Sequence, residues 1–360
     1  MRAGLAPRWA SAPGETIQSI LRERHLGIEH LATALEISRG EAQDLLVGRA
    51  TINAERAGLL SRAFGGSARF WLTREAEYAE DRLRVLAADW STRLPITSMR
   101  NLGWLPATRH WQDLIDECLK FFDVSDIEEW MASYPQETKS AHYRMSATLA
   151  NDEYSTLVWL RAGDRELPTR EPQAQFDSNA LRRSIPDLRR LTRIADPVRF
   201  IPELQRIANH AGLIVLVVPS RDGCRVSGAT RWRQGKPIIQ LSARHLSDDH
   251  FWFTLFHEIG HVLCHGDHQG TFIDVDMKIS EDDDSEREAD RFAESVILSG
   301  ADEPELLRRT SRDIIRAAAR IGISPGLLVG QLQHYGHLSH DELNSLKRRY
   351  RWDGTTLTSK

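Results

Sequence analysis

Cysteine is scarce: Cys118, Cys224 and Cys264 are odd in number, far apart and outside any C-x-x-C pair. That pattern excludes a disulfide scaffold and fits free thiols in a reducing cytoplasm. Long apolar runs are also missing. The longest, residues 213–218, is far too short to span a bilayer, and MRAGLAPRWASAPGE at the start holds no continuous apolar segment of the secretory kind. A cytoplasmic protein with no membrane partner is expected. The chain lacks a strong charge of either sign, with a formal net charge of -4, so any contact with nucleic acid must be local. What remains is an ordinary globular composition over 360 residues, enough for two or three domains and a large core.

Against that background one stretch stands out. Residues 251–265 read FWFTLFHEIGHVLCH and carry His257, Glu258 and His261 in the spacing H-E-x-x-H. A helix turns about 100 degrees per residue, so His257 and His261 lie one turn apart on one face and both imidazoles can reach a single ion. Glu258 lies beside that face. Trp252, Leu255, Phe256, Ile259, Val262 and Leu263 form the opposite, apolar stripe.

A catalytic zinc usually takes three protein ligands and leaves a fourth place for water, so a third ligand is needed. Residues 285–298, SEREADRFAESVIL, place Glu286 and Asp290 four apart on one helical face. Ser285 followed by Glu288 predicts a capping box that starts this helix one residue before Glu286. Glu286 is then the candidate ligand, and Asp290 the acceptor that orients an imidazole through its other nitrogen. His265 extends the histidine row and is a rival ligand, but one straight helix spreads its i, i+4 and i+8 positions over about 12 Å. Glu288 is a second alternative, and Cys264 reads as a small buried side chain.

HEIGH followed by EREADRFAE resembles the ImmA/IrrE family of zinc metallopeptidases, over roughly residues 200–335. The resemblance implies that His257, His261 and Glu286 bind Zn2+, that Glu258 is the catalytic base, and that the substrate is a specific regulatory protein such as a repressor or antitoxin.

Residues 14–85 predict a small helical domain: a helix at 14–24, then LGIEHLATALEISRGEAQDLLVG, which reads helix, turn at 36–38, helix to Val47 and Gly48 as C-cap. Together with its flanks this is similar to the Xre/HigA-like regulators and antitoxins, which implies operator DNA, a toxin partner or a homodimer through this domain. Arg39, Gln43 and Arg49 are the candidate DNA contacts. Yet residues 14–85 hold ten arginines, no lysine and eleven acidic residues, and a protein-binding module is the rival reading.

The expected fold is α+β and mostly helical: residues 14–85 a helix-turn-helix domain, 90–199 a helical middle region, 200–300 a zincin-like core with a small sheet, and 301–350 a C-terminal helical part. Arg182, Arg183, Arg189, Arg190, Arg193 and Arg199 read as a solvated helix face, with a patch for an acidic partner or nucleic acid as the alternative. Strands are expected at LIVLVVP, CRVSGAT and KPIIQLS after a helix near 202–210. FIDVDMKISEDDDSERE reads as an acidic surface loop, and RDIIRAAARIGISPGLLVGQL as packing helices. One of Gln333, His334, Tyr335 and His337 is a candidate oxyanion donor, and the tail GTTLTSK is expected to be disordered. The competing function is a DNA-binding regulator whose peptidase-like domain senses or docks without turnover.

Overall fold

The computed structural model describes residues 10–140, 150–167, 174–220, 223–266, 272–275, 284–301 and 310–360. The middle-region stretch AHYRMSATL and part of ELPTREPQAQ lie outside the described residues. The chain divides into two compact units. One comprises Met1–Arg93, His110–Leu119 and Ser125–Glu128, the other Leu94–Arg109, Lys120–Val124 and Glu129–Lys360.

In the first unit, α1 (Pro13–Glu23), α2 (Ile28–Leu35), α3 (Arg39–Leu46) and α4 (Ala54–Phe64) precede the long α5 (Ala68–Arg93), which runs without a break past residue 85. Pro13 opens α1, where its missing N–H costs nothing. Glu36 leaves α2 in the left-handed region, and Ser38 and Glu41 form a reciprocal capping box that starts α3. Ile17, Leu31, Ala42, Leu45, Leu60 and Trp71 meet in one buried core. Gly14 is required there, because a Cβ would lie 2.2 Å from the Leu46 carbonyl oxygen.

The second unit is mostly helical around two small sheets. Its helices are α6 (Ile96–Asn101), α9 (Ala150–Asp164), α10 (Ser178–Leu191) and α11 (Pro197–His210), with α7 (Trp111–Phe122) and α8 (Ile127–Ser140) shared in sequence between the units. The helix expected near 202 begins at Pro197, because the Asp196 side chain caps Val198 N–H and proline fits the first turn. Strands β1 (Ile214–Val217), β2 (Val226–Arg233), β3 (Lys236–Leu241) and β4 (Phe272–Val275) make one sheet in the order β1-β3-β2-β4. β1 runs parallel to β3, and β2 is antiparallel to both of its neighbours. The start of the acidic stretch is therefore an edge strand and not a loop: Phe-Ile-Asp-Val has the β-branched and aromatic content that the following acidic run obscures.

Helix α12 (Asp248–His265) lies against β2 and β3, with α13 (Asp284–Ile297) and α15 (Pro325–His334) against it; α14 (Ser311–Ile321) packs on α15. From Asp248 to Val262 only His250 and Phe253 are not buried. The expectation of one apolar stripe therefore understates the packing: sheet, α13 and α15 close on several sides of α12. The tail is not disordered. β5 (Tyr350–Asp353) and β6 (Thr356–Ser359) pair as a hairpin, and Leu357 is 2% exposed. Its two-residue loop is Gly354-Thr355, and Gly354 supplies the positive φ that such a hairpin turn needs.

The arginine-rich stretch is not simply a solvated face. Arg182 Nη2 donates to the Leu263 carbonyl, and Arg189 Nη2 donates to the carbonyls of Ile297 and Ser299. Two cations of α10 thus sit at the C-terminal ends of α12 and α13, where the helix dipole favours them.

Candidate metal centre

Helix α12 begins after Ser247, and Asp248 and Asp249 in its first turn suit the positive end of the helix dipole. Two and a half turns later His257 and His261 face each other, their Nε2 atoms 3.0 Å apart. From α13 the Glu286 carboxylate reaches both, 3.2 Å from His257 Nε2 and 3.5 Å from His261 Nε2. These three residues form a group that could hold a metal ion. The donor set fits zinc: tetrahedral ligands at about 2.0–2.1 Å from an ion are separated by about 3.3 Å, and the three distances bracket that value.

Asp290 stands one turn beyond Glu286 and accepts a 2.8 Å hydrogen bond from His257 Nδ1. A carboxylate only accepts, so Nδ1 carries the proton and the Nε2 lone pair turns toward Glu286 and His261. Burial lowers the pKa of His261, against the pull of Glu286, and favours the neutral ring that can donate a lone pair. At Glu286 burial raises the pKa, but the His257 and His261 rings beside it prevail and hold the carboxyl far below the usual range.

Glu258 is fully buried on the sheet side of α12. Thr230 Oγ1 of β2 donates to its Oε2 at 2.6 Å. Gly228 leaves the space that the carboxylate fills, since a Cβ there would lie 2.3 Å from Glu258 Oε1. Neither Thr230 nor Gly228 was among the sequence candidates, although glycine inside a strand is a mark of close approach.

A cleft of about 530 Å³ opens against His257, Glu286 and Asp290, bounded by Phe253, Thr254, His334, Asn344, Lys347 and Arg349 among others. The rival ligands lie elsewhere. His265 Nε2 contacts the Ser285 carbonyl at 3.2 Å, and Glu288 approaches His265 at 3.7 Å. Ser285 does not cap α13, which already begins at Asp284: three acidic side chains at 284, 286 and 288 favour an earlier start, and Arg287 bonds Asp284. Cys264 is exposed and not buried, because it lies on the outer side of the last turn of α12.

Of the oxyanion candidates, Gln333 is committed to structure, its amide bonding the Glu342 carbonyl and accepting from Lys347 Nζ. His334 lines the cleft and lies 3.7 Å from Glu294. The Tyr335 phenol is pushed up to about 12 by partial burial and by the Glu294 carboxylate. In the first unit Arg39 pairs with Glu29 at 3.5 Å, Arg49 lies beyond the end of α3 and pairs with Asp44 at 3.4 Å, and Gln43 is exposed.

Residues 214–332 match the Peptidase_M78 family, described as the IrrE N-terminal-like domain, so this stretch is a domain of that peptidase family. A stretch of 60 residues is 38% identical to the uncharacterized HTH-type transcriptional regulator YddM of Escherichia coli (strain K12). That match covers 17% of this chain and 64% of the relative. The pairing of a peptidase-family domain with likeness to a helix-turn-helix regulator agrees with the family resemblance in the sequence. No described helix is long and apolar enough to cross a membrane.

Proposed function

We propose that the protein is a zinc-dependent endopeptidase joined to a helix-turn-helix module, and that it cleaves a specific regulatory protein of the repressor or antitoxin kind in the cytoplasm. The observation that carries this reading is the convergence of two imidazole nitrogens and the Glu286 carboxylate at 3.0–3.5 Å beside an open cleft. His257, His261 and Glu286 would hold the ion, which when bound supplies Lewis acidity and lowers the pKa of water toward about 7. The protein's own groups do the rest. Asp290 keeps the His257 lone pair directed at the site, and Thr230 fixes the Glu258 carboxylate. Glu258 takes the proton of the attacking water and returns it to the leaving amine. The cleft admits an extended segment of substrate.

Metal analysis and incubation with repressor- or antitoxin-like proteins encoded beside this gene test the reading. Wild type should carry one zinc and cleave one of them. Glu258→Gln should keep the zinc and lose cleavage, and His261→Ala should lose both. Undiminished proteolysis by Glu258→Gln removes that residue from the chemistry.

The likeness to a transcriptional regulator supports a second reading, in which the first unit binds operator DNA, or a toxin, as a homodimer and the peptidase-like domain senses or docks. Arg39, Gln43 and Arg49 would make the contacts, and release of Arg39 and Arg49 from Glu29 and Asp44 would accompany binding. A gel shift with salt titration decides it: phosphate contact gives steep salt dependence, reduced in Arg39→Ala.

A further inference from the structure

The cleft beside the metal centre follows one stripe of α12, through Ser247, His250, Thr254 and His257, and at its Ser247 end it is lined by Arg349. Arg349 is held there by its backbone: it bridges Ser247, and its carbonyl accepts from Lys360 N–H at 3.0 Å. The flanking residues fix it further, since Arg348 N–H donates to Asp248 and Tyr350 is buried. The base of the side chain is therefore anchored while the side chain is exposed.

The ionic groups around the cleft are unevenly used. Its carboxylates are all engaged: Glu286 with both imidazoles, Asp290 with His257, and Asp249 with Lys347 Nζ at 2.6 Å. Among the described residues no carboxylate pairs with Arg349. A planar guanidinium with five donors, fixed at the base and open to a peptide-sized groove, is suited to a carboxylate.

We infer that Arg349 is a specificity residue that selects an acidic side chain of the peptide substrate. The inference rests on the peptidase reading and adds a position to it. Ser247 precedes His257 by ten residues, about 15 Å along a helix. An extended peptide rises about 3.3 Å per residue, so the selected Asp or Glu lies about three to five residues from the scissile bond.

The test uses the full-length chain carrying Glu258→Gln, loaded with zinc and immobilised, and a library of acetylated, amidated dodecapeptides randomised at every position. Retained peptides should be enriched about fivefold in Asp and Glu, the scale of a partly exposed arginine–carboxylate pair. Adding Arg349→Gln should abolish that enrichment, and Arg349→Glu should replace it with Lys and Arg; zinc content and melting temperature check that each variant folds. A second library with free C-termini distinguishes the source of the carboxylate. Retention that follows the free terminus in place of the side chain overturns the side-chain assignment. Absence of retained peptides, absence of acidic enrichment, or enrichment that survives Arg349→Gln overturns the inference. Incubating wild type with the same library separates this from the peptidase reading. Cleavage without acidic preference sinks the role of Arg349 alone, whereas acid-selective retention without any cleavage sinks the peptidase reading alone.

Discussion

Gly260 of α12 lies so close to Ala289 of α13 that a Cβ at position 260 would be 2.9 Å from the Ala289 Cα. That contact sets the spacing of the two helices that bring His257 and His261 to Glu286. Glycine within a helix costs about 1 kcal/mol relative to alanine, so here its packing value outweighs its propensity. Gly260→Ala should push α13 away, lower stability by about 1–3 kcal/mol and weaken zinc binding at least tenfold. Urea denaturation and chelator competition measure the two effects. Unchanged zinc affinity would show that helix spacing does not govern the centre.

Asp290 acts on the metal centre through His257. Replacing it with Asn keeps the volume but allows the amide to donate to Nδ1, which would put the proton on Nε2 and remove a lone pair from the site. Asp290→Asn should therefore reduce zinc affinity about 10–100-fold while leaving the fold intact. Competition with a chromophoric chelator gives the number, and circular dichroism checks the fold.

Thr230 holds Glu258 through its hydroxyl, so its removal should affect chemistry before metal binding. In Thr230→Val the shape is kept and the donor is lost. Zinc content should stay at the wild-type level while turnover of a cleaved protein falls roughly tenfold to a hundredfold, the usual effect of a small misplacement. Thr230→Ser should restore most of it. Equal loss in the serine and valine variants would argue for packing of the methyl group and not for the hydrogen bond.

These residues differ in how far the sequence revealed them. His257 and His261, and likewise Glu286 and Asp290, are legible because helical periodicity puts positions four apart on one face, and Glu258 is legible through the H-E-x-x-H motif. Thr230 bonds a residue 28 positions away, a pairing created only when α12 settles on β2, and no local pattern announces that. β4 was hidden by the acidic run after it, and Ser285 read as a cap because its spacing to Glu288 matches a motif that the helix simply includes. The hairpin Tyr350–Ser359 was legible in principle, with a glycine-containing loop, Gly354-Thr355, between Trp352 and Leu357. A polar composition near the chain end outweighed that signal.

Asp248, nine residues before His257, offers a test of the scaffold through pH. Burial raises its pKa to about 6, assisted by Asp249 and opposed by Ser324 and Arg348. Its carboxylate accepts from Ser324 Oγ at 2.8 Å and from Arg348 N–H at 2.9 Å, and so ties the start of α12 to α15 and to the segment before β5. The unfolded chain ionises this group near 3.9, so between about pH 4 and 6 the native state binds more protons than the unfolded state. The contribution of Asp248 to stability is thus full below about pH 4 and lost as pH rises to 6, by up to about 3 kcal/mol for a shift of about two units. Asp248→Asn removes the titration while keeping an acceptor for Arg348 N–H. Urea melts should show the variant about 1–3 kcal/mol more stable than wild type at pH 8, with the gap narrowing or reversing at pH 4. A stability difference that stays constant from pH 4 to 8 would mean that Asp248 ionises in the fold as easily as it does in water.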